Sequence, residues 1–232
     1  MLVFTDCRLS QKAADTLALY GHAPRPCPPH PELDPAIASH PDMLLFMTQG
    51  GIFSHAELIP TLEGLHPHLP LVPIAKRVLR QYPHDVLLNA ARVGSFLLCR
   101  PDAVADELIE YAKEQGLTVL PVRQGYAKCN TCIVSDRAVI TEDASIEKAL
   151  ASVGFDVLRI PQGHVQLEGY PYGFIGGASG NDGTHVFFCG DLSLHPDGAR
   201  MADFCKQHGR VPISLADHPL RDVGSLLFHC EN

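Results

Sequence analysis

The segment GYAKCNTCIV (Gly125 to Val134) sets two thiols, an amide and a hydroxyl within a short apolar run. A thiol attacks carbon as its thiolate, and a neighbouring lysine favours that form. If the segment is one strand, the spacing of three sends Cys129 and Cys132 to opposite faces. Cys132, followed by Ile133 and Val134, then belongs to the core. Cys129, between Lys128 and Asn130, faces a cleft and is the candidate nucleophile, with Asn130 a candidate substrate contact. The competing reading is a structural thiol, because cysteine is among the most buried residue types. C-x-x-C is also half of a zinc site, but no second C-x-x-C or H-x3-H pair exists. No metal is expected.

A nucleophile of this kind needs a base and something to hold its substrate. His164, in IPQGHVQLEGYPYGFIGGASG (Ile160 to Gly180), follows a strand end and a glycine, where a loop can aim it into a cleft. His218, in HPLRDVGSLLF (His218 to Phe228), is the second candidate base. An unperturbed imidazole titrates near neutrality, so either can move protons. Both compete with a plain solvated-loop reading, since the chain has 13 histidines. Glu168 and Asp222 can orient a histidine or hold a cation. Asn89, Arg92 and Ser225 place polar groups on apolar strands, and Arg92 can clamp a carboxylate with two parallel bonds. The alternative for these three is a hydrogen-bonded network that seals the interior. Neither G-x-G-x-x-G nor G-x-x-x-x-G-K is present, so no nucleotide cofactor is expected.

The elements that must position these residues repeat along the chain. Five helical segments each stop at a glycine: 10–21, 55–64, 101–116, 144–154 and 195–209, ending at Gly21, Gly64, Gly116, Gly154 and Gly209. A glycine just past a helix takes the left-handed cap at no steric cost. An apolar strand precedes each helix: LVFTD, MLLFM, FLLC, AVITED and HVFFCGD. A short strand follows four of them: LPLVPI, TVLPV, DVLRIP and VPISL. The segment after Gly21, rich in Pro and His from residue 22 to 42, reads as a surface loop. A further strand stands before several units, in LNAARVGS, CNTCIVSD and FIGGASGND, the last with an Asn181-Asp182-Gly183 turn.

The capping glycines are 43, 52, 38 and 55 residues apart, and joining the chain ends gives a fifth spacing of 44. GSLLFHCEN at the C-terminus supplies the strand that LVFTD lacks at the N-terminus. The chain therefore reads as one domain, residues 1–232, of five strand-strand-helix-strand units closed into an α/β ring, the first unit shared by both termini. An open α/β sheet with insertions is the alternative.

The totals agree with a globular protein. The 232 residues can bury a substantial core. Hydrophobic residues are 46%, charged residues 19%, and the net charge is -8. The acidic residues are scattered and no basic stripe occurs, which speaks against nucleic-acid binding. No apolar run approaches the roughly 18 residues of a membrane span, and no leader peptide is legible. A cytoplasmic location follows as the expectation, with the eight cysteines free thiols. A small-molecule ligand is expected; homo-oligomerisation is left open.

The ring of five such units resembles the pentein fold of guanidino-group-modifying enzymes: arginine deiminases, amidinotransferases and dimethylarginine dimethylaminohydrolases, with a ribosome anti-association factor among its non-enzymes. LEGYPYGFIGGAS is similar to the dimethylaminohydrolase stretch in which an acidic, glycine-rich turn leads into a strand. KCNTCIV resembles the strand that carries an acidic catalytic pair, and HPLRDVGSLLF the segment with the catalytic histidine. The wording of GYAKCNTCIV and GFIGGASG also resembles a bacterial family of unknown function in this fold. The resemblance implies a cysteine-dependent hydrolase or transferase acting on a C–N bond of a small amidine, guanidine or amide. In those enzymes a cysteine attacks the guanidinium carbon, a histidine moves protons and carboxylates hold the cation. Here Asn89 stands at the aligned nucleophile position, and Cys129 and Asn130 replace the acidic pair. These departures imply that a bound cation lacks its usual counter-charges. They also keep open a non-catalytic protein that binds a small molecule or a protein partner, including a ribosomal one.

Overall fold

The computed structural model describes residues 1–48 and 50–229. They form five three-stranded sheets of one design. The strands are β1 (Leu2–Thr5), β2 (Ala23–Pro26), β3 (Leu45–Met47), β4 (Ile52–His55), β5 (Leu71–Ile74), β6 (Ala91–Val93), β7 (Phe96–Cys99), β8 (Thr118–Pro121), β9 (Thr131–Ser135), β10 (Ala138–Thr141), β11 (Asp156–Arg159), β12 (Ser179–Asn181), β13 (His185–Phe188), β14 (Val211–Ser214) and β15 (Leu227–His229). The sheets run β15-β1-β2, β3-β4-β5, β6-β7-β8, β9-β10-β11 and β12-β13-β14. In each, the first strand pairs antiparallel with the second, and the second pairs parallel with the third. The first unit is completed by both ends of the chain, with Val3 opposite Phe228.

The helices α1 (Gln11–Leu19), α2 (Pro41–Leu44), α3 (Ile59–Leu65), α4 (Asp106–Glu114), α5 (Ala144–Ser152) and α6 (Gly198–Gln207) complete the fold. All but α2 make the crossover from the second to the third strand of a unit, which a parallel pair requires. Local signals fix their ends. The Ser10 side chain accepts from Ala13 N–H, and Asp143 accepts from Ser145 and Ile146 N–H, which satisfies amides that have no partner in the first turn. Gly21, Gly116, Gly154 and Gly209 take left-handed φ values of 65–83° just past their helices. Gly64 does not, because α3 runs on to Leu65.

Three sequence-based expectations change. MLLFM is the end of α2 plus the first strand of its unit, and Ile52–His55 is the second. HAPRP contains a paired third strand, β2, rather than a loop; its prolines lie on the side that needs no donor, as an edge strand allows. The segment 22–42 also dips inward, and Ser39, His40 and Asp42 are each at most 2% exposed. In the C-terminal stretch GSLLFHCEN, residues 230–232 lie outside the described region.

The five first strands, β3, β6, β9, β12 and β15, are innermost. Together they line one cavity of about 280 Å³, with residues from Leu45 to Met47, Arg92, Ile133, Ser135, Ser179 to Asn181, Leu227 and Phe228 on its wall. The apolar core lies outside this ring, between sheets and helices. Leu97, Leu108 and Ala112 pack in one sector, and Ile140, Met201 and Phe188 in another. Among the described residues no helix is long and apolar enough to cross a membrane.

Candidate functional site

Each unit enters its inner strand through a short turn, and the five turns meet. Asp42, Asn89, Cys129, Gly176 and Ser225 stand two or three residues before β3, β6, β9, β12 and β15. Bonds close a ring through them. Asp42 N–H donates to Gly224 O at 2.9 Å, Ser225 N–H to Gly177 O at 2.8 Å, and Gly177 N–H to Cys129 O at 2.9 Å. The Asn89 side chain makes the last two links. Its Oδ1 accepts from Lys128 N–H at 2.8 Å and Cys129 N–H at 3.2 Å, and its Nδ2 donates to Asp42 O at 3.2 Å. The glycines have a steric reason. A Cβ at Gly176 would enter the Lys128 and Cys129 backbone, and one at Gly177 would overlap the Asp222 carboxylate.

Inside this ring the side chains form one polar cluster. Cys129 Sγ donates to Asp42 Oδ2 at 3.1 Å and accepts from Asn89 Nδ2 at 3.0 Å. Ser225 Oγ accepts from Lys128 Nζ at 2.8 Å. Its single proton faces two acceptors, Asp42 Oδ2 at 2.6 Å and Gly176 O at 2.9 Å. Ser225 has φ 69°, a left-handed value in a non-glycine residue, and such conformations persist where the surroundings enforce them. Beside this cluster His40 lies between two carboxylates, Nε2 3.6 Å from Asp6 Oδ2 and Nδ1 3.7 Å from Asp222 Oδ1. Asp6 is held by Arg8 through both oxygens and accepts from Ser39 Oγ. Asp222 accepts from Phe174 and Gly224 N–H, each at 2.9 Å.

The electrostatics are those of a dry, acidic pocket. Burial pushes the Cys129 thiol pKa well up, and the Asp42 and Asp222 carboxylates add to the shift. Burial also raises Asp222, with His40 acting against it, and raises Glu142 to about 7. Glu142 accepts from Ile175 N–H through Oε2, next to the Asp222 side of the cluster. Asp6 behaves oppositely: burial resists, but the Arg8 hydrogen bonds hold its carboxyl below the usual range. Asp42 Oδ1 and His40 Nε2 are buried and lack a hydrogen-bond partner among the described residues. Polar atoms seldom stay so in a finished interior. An open cleft of about 510 Å³ reaches this cluster from outside, lined by Asp6, Arg8, Glu168, Tyr170, Arg221 and Asp222.

Four residues singled out in the sequence meet at the centre: Cys129, Asn89, Asp222 and Ser225. Cys129 lies in the turn before β9 rather than on it, while Cys132 lies on β9 against Ile140 and Val134. The two thiols do part, but because one precedes the strand. Asn130 is buried beside Cys129 and donates to Tyr126 O. Glu168 is exposed and lines the outer cleft. Arg92 lies further along the ring, donating to Tyr111 Oη at 3.2 Å. The two candidate histidines are elsewhere. His164 is exposed and meets His195 edge to face, with ring centres 5.4 Å apart. His218 Nδ1 is bonded to Pro219 O. Neither bonds to a member of the cluster. His40 and Asp42 were not found from the sequence, because residues 22–42 read as a surface loop; Asp6, at the end of the strand LVFTD, carried no motif that set it apart. A signal was present: Asp42, in SHPD, stands three residues before the inner strand of unit two, close to the offset of two at which Asn89, Cys129 and Ser225 precede theirs. Two acids from other turns, Asp42 and Asp222, lie beside Cys129.

The chain has a pentein-type fold. It matches dimethylarginine dimethylaminohydrolase of Pseudomonas aeruginosa, solved with citrulline, at TM-score 0.53 and 9% identity over 92% of this chain and 91% of that one. Agmatine deiminase of C. jejuni is similar at TM-score 0.52 and 9% identity, covering 93% and 76% of the two chains. The inosamine-phosphate amidinotransferase StrB1 of Streptomyces griseus is similar at TM-score 0.51 and 14% identity, covering 88% and 73%. At these identities the likeness is one of fold. The chain belongs to a family of unknown function, DUF6873, whose profile matches residues 4–227. No curated protein matches it.

Proposed function

We propose that the protein is a cysteine-dependent hydrolase or transferase that cleaves a C–N bond of a small cationic amidine or guanidine. The observation that carries this reading is the placement of Cys129 Sγ between a proton acceptor, Asp42 Oδ2, and an amide donor, Asn89 Nδ2, inside a carboxylate-lined pocket. A nucleophile and base within hydrogen-bond reach, with the base held by further groups, is the arrangement such chemistry needs. At rest the thiol is neutral. A cation entering beside Asp222 and Asp42 offsets the negative charge that opposes ionisation, and so couples thiolate formation to binding.

In the proposed reaction Asp42 takes the thiol proton as Sγ bonds to the central carbon. The C–N bond then breaks and the leaving amine takes a proton from an imidazolium at His40. Water, or an amine in a transferase, adds to the sulfur-bound carbon. The C–S bond breaks with its electron pair returning to sulfur, and the proton held by Asp42 returns to Cys129. One proton of the incoming nucleophile restores His40; where that nucleophile is water, its second proton leaves with the expelled amine, as the ammonium, when the C=O bond forms as the C–S bond breaks. The likeness in fold to guanidino-modifying enzymes supports the substrate class.

The test compares chloroacetamidine, a cationic alkylating agent, with neutral chloroacetamide, using exposed Cys7 as internal reference. Peptide mass analysis should show Cys129 favouring the cation over Cys7 by roughly tenfold or more, as local charge concentrates a counter-ion. Asp222→Asn should remove the preference. If Cys129 shows no preference over Cys7, the catalytic reading fails. The alternative, a binder without catalysis, would then hold; it is favoured by the buried, neutral state of the thiol.

A further inference from the structure

The cavity enclosed by the inner strands has a second character further along them. Three cationic groups line it: Arg92 from β6, Lys128 from the turn before β9, and Arg210 from the residue that leads into β14. Asp136, exposed at the rim, is the sole acidic residue on the described wall. Lys128 is directed at Ser225 and belongs to the polar centre. The two guanidiniums are otherwise little engaged. Arg92 donates from one nitrogen, to Tyr111 Oη. Arg210 contacts Gly209 O at 3.4 Å, and its Nε is buried without a hydrogen-bond partner among the described residues. Neither forms an ion pair among the described residues, although the chain as a whole carries a net charge of -8. Salt bridges hold Arg8, Arg77, Arg80, Arg100, Arg159 and Arg200. Cations left unpaired in an acidic protein, around a cavity with polar walls at Ser135 and Ser179, point to a ligand of the opposite sign. Backbone geometry supports a built space. Asn181 Nδ2 donates to Ile133 O and Val134 O, fastening β12 to β9 beside the cavity.

We propose that this end of the cavity binds a small oxyanion, a phosphate or a carboxylate, through the forked donors of Arg92 and Arg210. A guanidinium matches either group with two parallel bonds, and its charge is worth more in a partly enclosed site than in water. About 280 Å³ holds such an anion with a few waters. The site is distinct from the Cys129 centre and does not depend on the reaction proposed there. Its effect on that centre is positional: an anion here draws on β6 and the segment entering β14, on either side of β9 and β12.

The experiment is calorimetric titration of the full chain with inorganic phosphate, sulfate and succinate, against chloride at equal ionic strength. One saturable anion per chain is expected. Arg92→Gln together with Arg210→Gln should weaken it at least tenfold, the loss of one good interaction, while the thermal transition without anion stays close to that of the wild type. Saturation by phosphate and sulfate but not succinate identifies a tetrahedral anion; the reverse identifies a carboxylate. Should the double variant not fold, Arg210→Lys, which keeps the charge but loses the fork, should still weaken binding. No saturable binding of any of the three anions, or binding that these substitutions leave unchanged, overturns the proposal.

Discussion

At the N-terminal ends of the inner strands, Asp42, Asn89, Cys129 and Ser225 are at most 3% exposed and bonded to one another. Further along, Arg92 in the middle of β6 and Arg210, which leads into β14, line an open cavity with few protein partners. The first end is closed by its own residues and this second region by none. The difference follows from the backbone. The turns before the strands exchange amide and carbonyl bonds around the ring, so their side chains are drawn to one point. The strands beyond pair within their own sheets, with a side-chain tie from Asn181 at the end of β12 to β9, and their other side chains need only fill the space left over. Chemistry that requires fixed distances belongs at the first end, and loose charge-matched binding at the second.

The largest test of the first end is Asn89→Ala. It leaves two N–H groups, of half-buried Lys128 and buried Cys129, without their acceptor and opens the ring between units two, three and four. A loss of about 3–4 kcal/mol in urea denaturation is expected, from unpaired buried donors plus the space left. A loss under about 1 kcal/mol would mean that the ring is held elsewhere. Gly177→Ala follows. A methyl group there meets the Asp222 carboxylate, and overpacking of this kind costs about 1–3 kcal/mol. If Gly177→Ala is neutral, Asp222 is not fixed as described.

Asp42→Asn sharpens the electrostatic side. It removes a carboxylate that helps keep the Cys129 proton in place, so the thiol pKa should fall. The pH dependence of thiol labelling at Cys129 reads this directly, and an unchanged or raised midpoint contradicts the assigned contact. Acid stability provides a fourth test. Burial lowers His55 from 6.5 to about 4, so it binds fewer protons folded than unfolded. Its contribution is complete above about pH 6.5 and is lost as pH falls toward 4. Glu142 runs the other way. Raised to about 7 by burial, it contributes below about pH 4.5, and that contribution is lost as pH rises through 7. Glu142→Gln should therefore gain on the wild type as pH rises from 4.5 to 7; a difference that is flat with pH would refute the shift. The smallest effect belongs to the periphery. Lys12 and Asp217 form an exposed ion pair, and Lys12→Ala should leave the transition where it was, because water and salt screen such pairs.

Much of the architecture is legible in the chain. Capping at Gly21, Gly116, Gly154 and Gly209 is a local property, and so are the apolar strands on either side of the helices. The regular spacing that implies five units, one shared by the two termini, needs no coordinates either. Cys129, Asn89, Asp222 and Ser225 could be chosen because polar residues bordering apolar strands are conspicuous. What local patterns could not settle is where prolines and histidines mislead. The stretch 22–42 has the composition of a loop, yet it supplies β2, His40 and Asp42, because partners almost two hundred residues away, at Gly224 and Ser225, bury it.

The sequence by itself determined that thiol, amide and hydroxyl belong to the first strand of each unit, since unit length and strand pattern are written in nearest-neighbour residue types; the fold moves Asn89, Cys129 and Ser225 into the turns just before those strands. Only the tertiary structure decided which of them meet. Cys129 has Asp42 as its acceptor and Asn89 as its donor, while His164 and His218 stand apart, because ring closure selects the five turns that share an axis and leaves outer loops at the surface. The buried acidity around Cys129 was likewise decided there. Two carboxylates far apart in the chain, Asp42 and Asp222, are brought together around the buried Cys129, and that surrounding, absent from any local window, sets the state of the thiol.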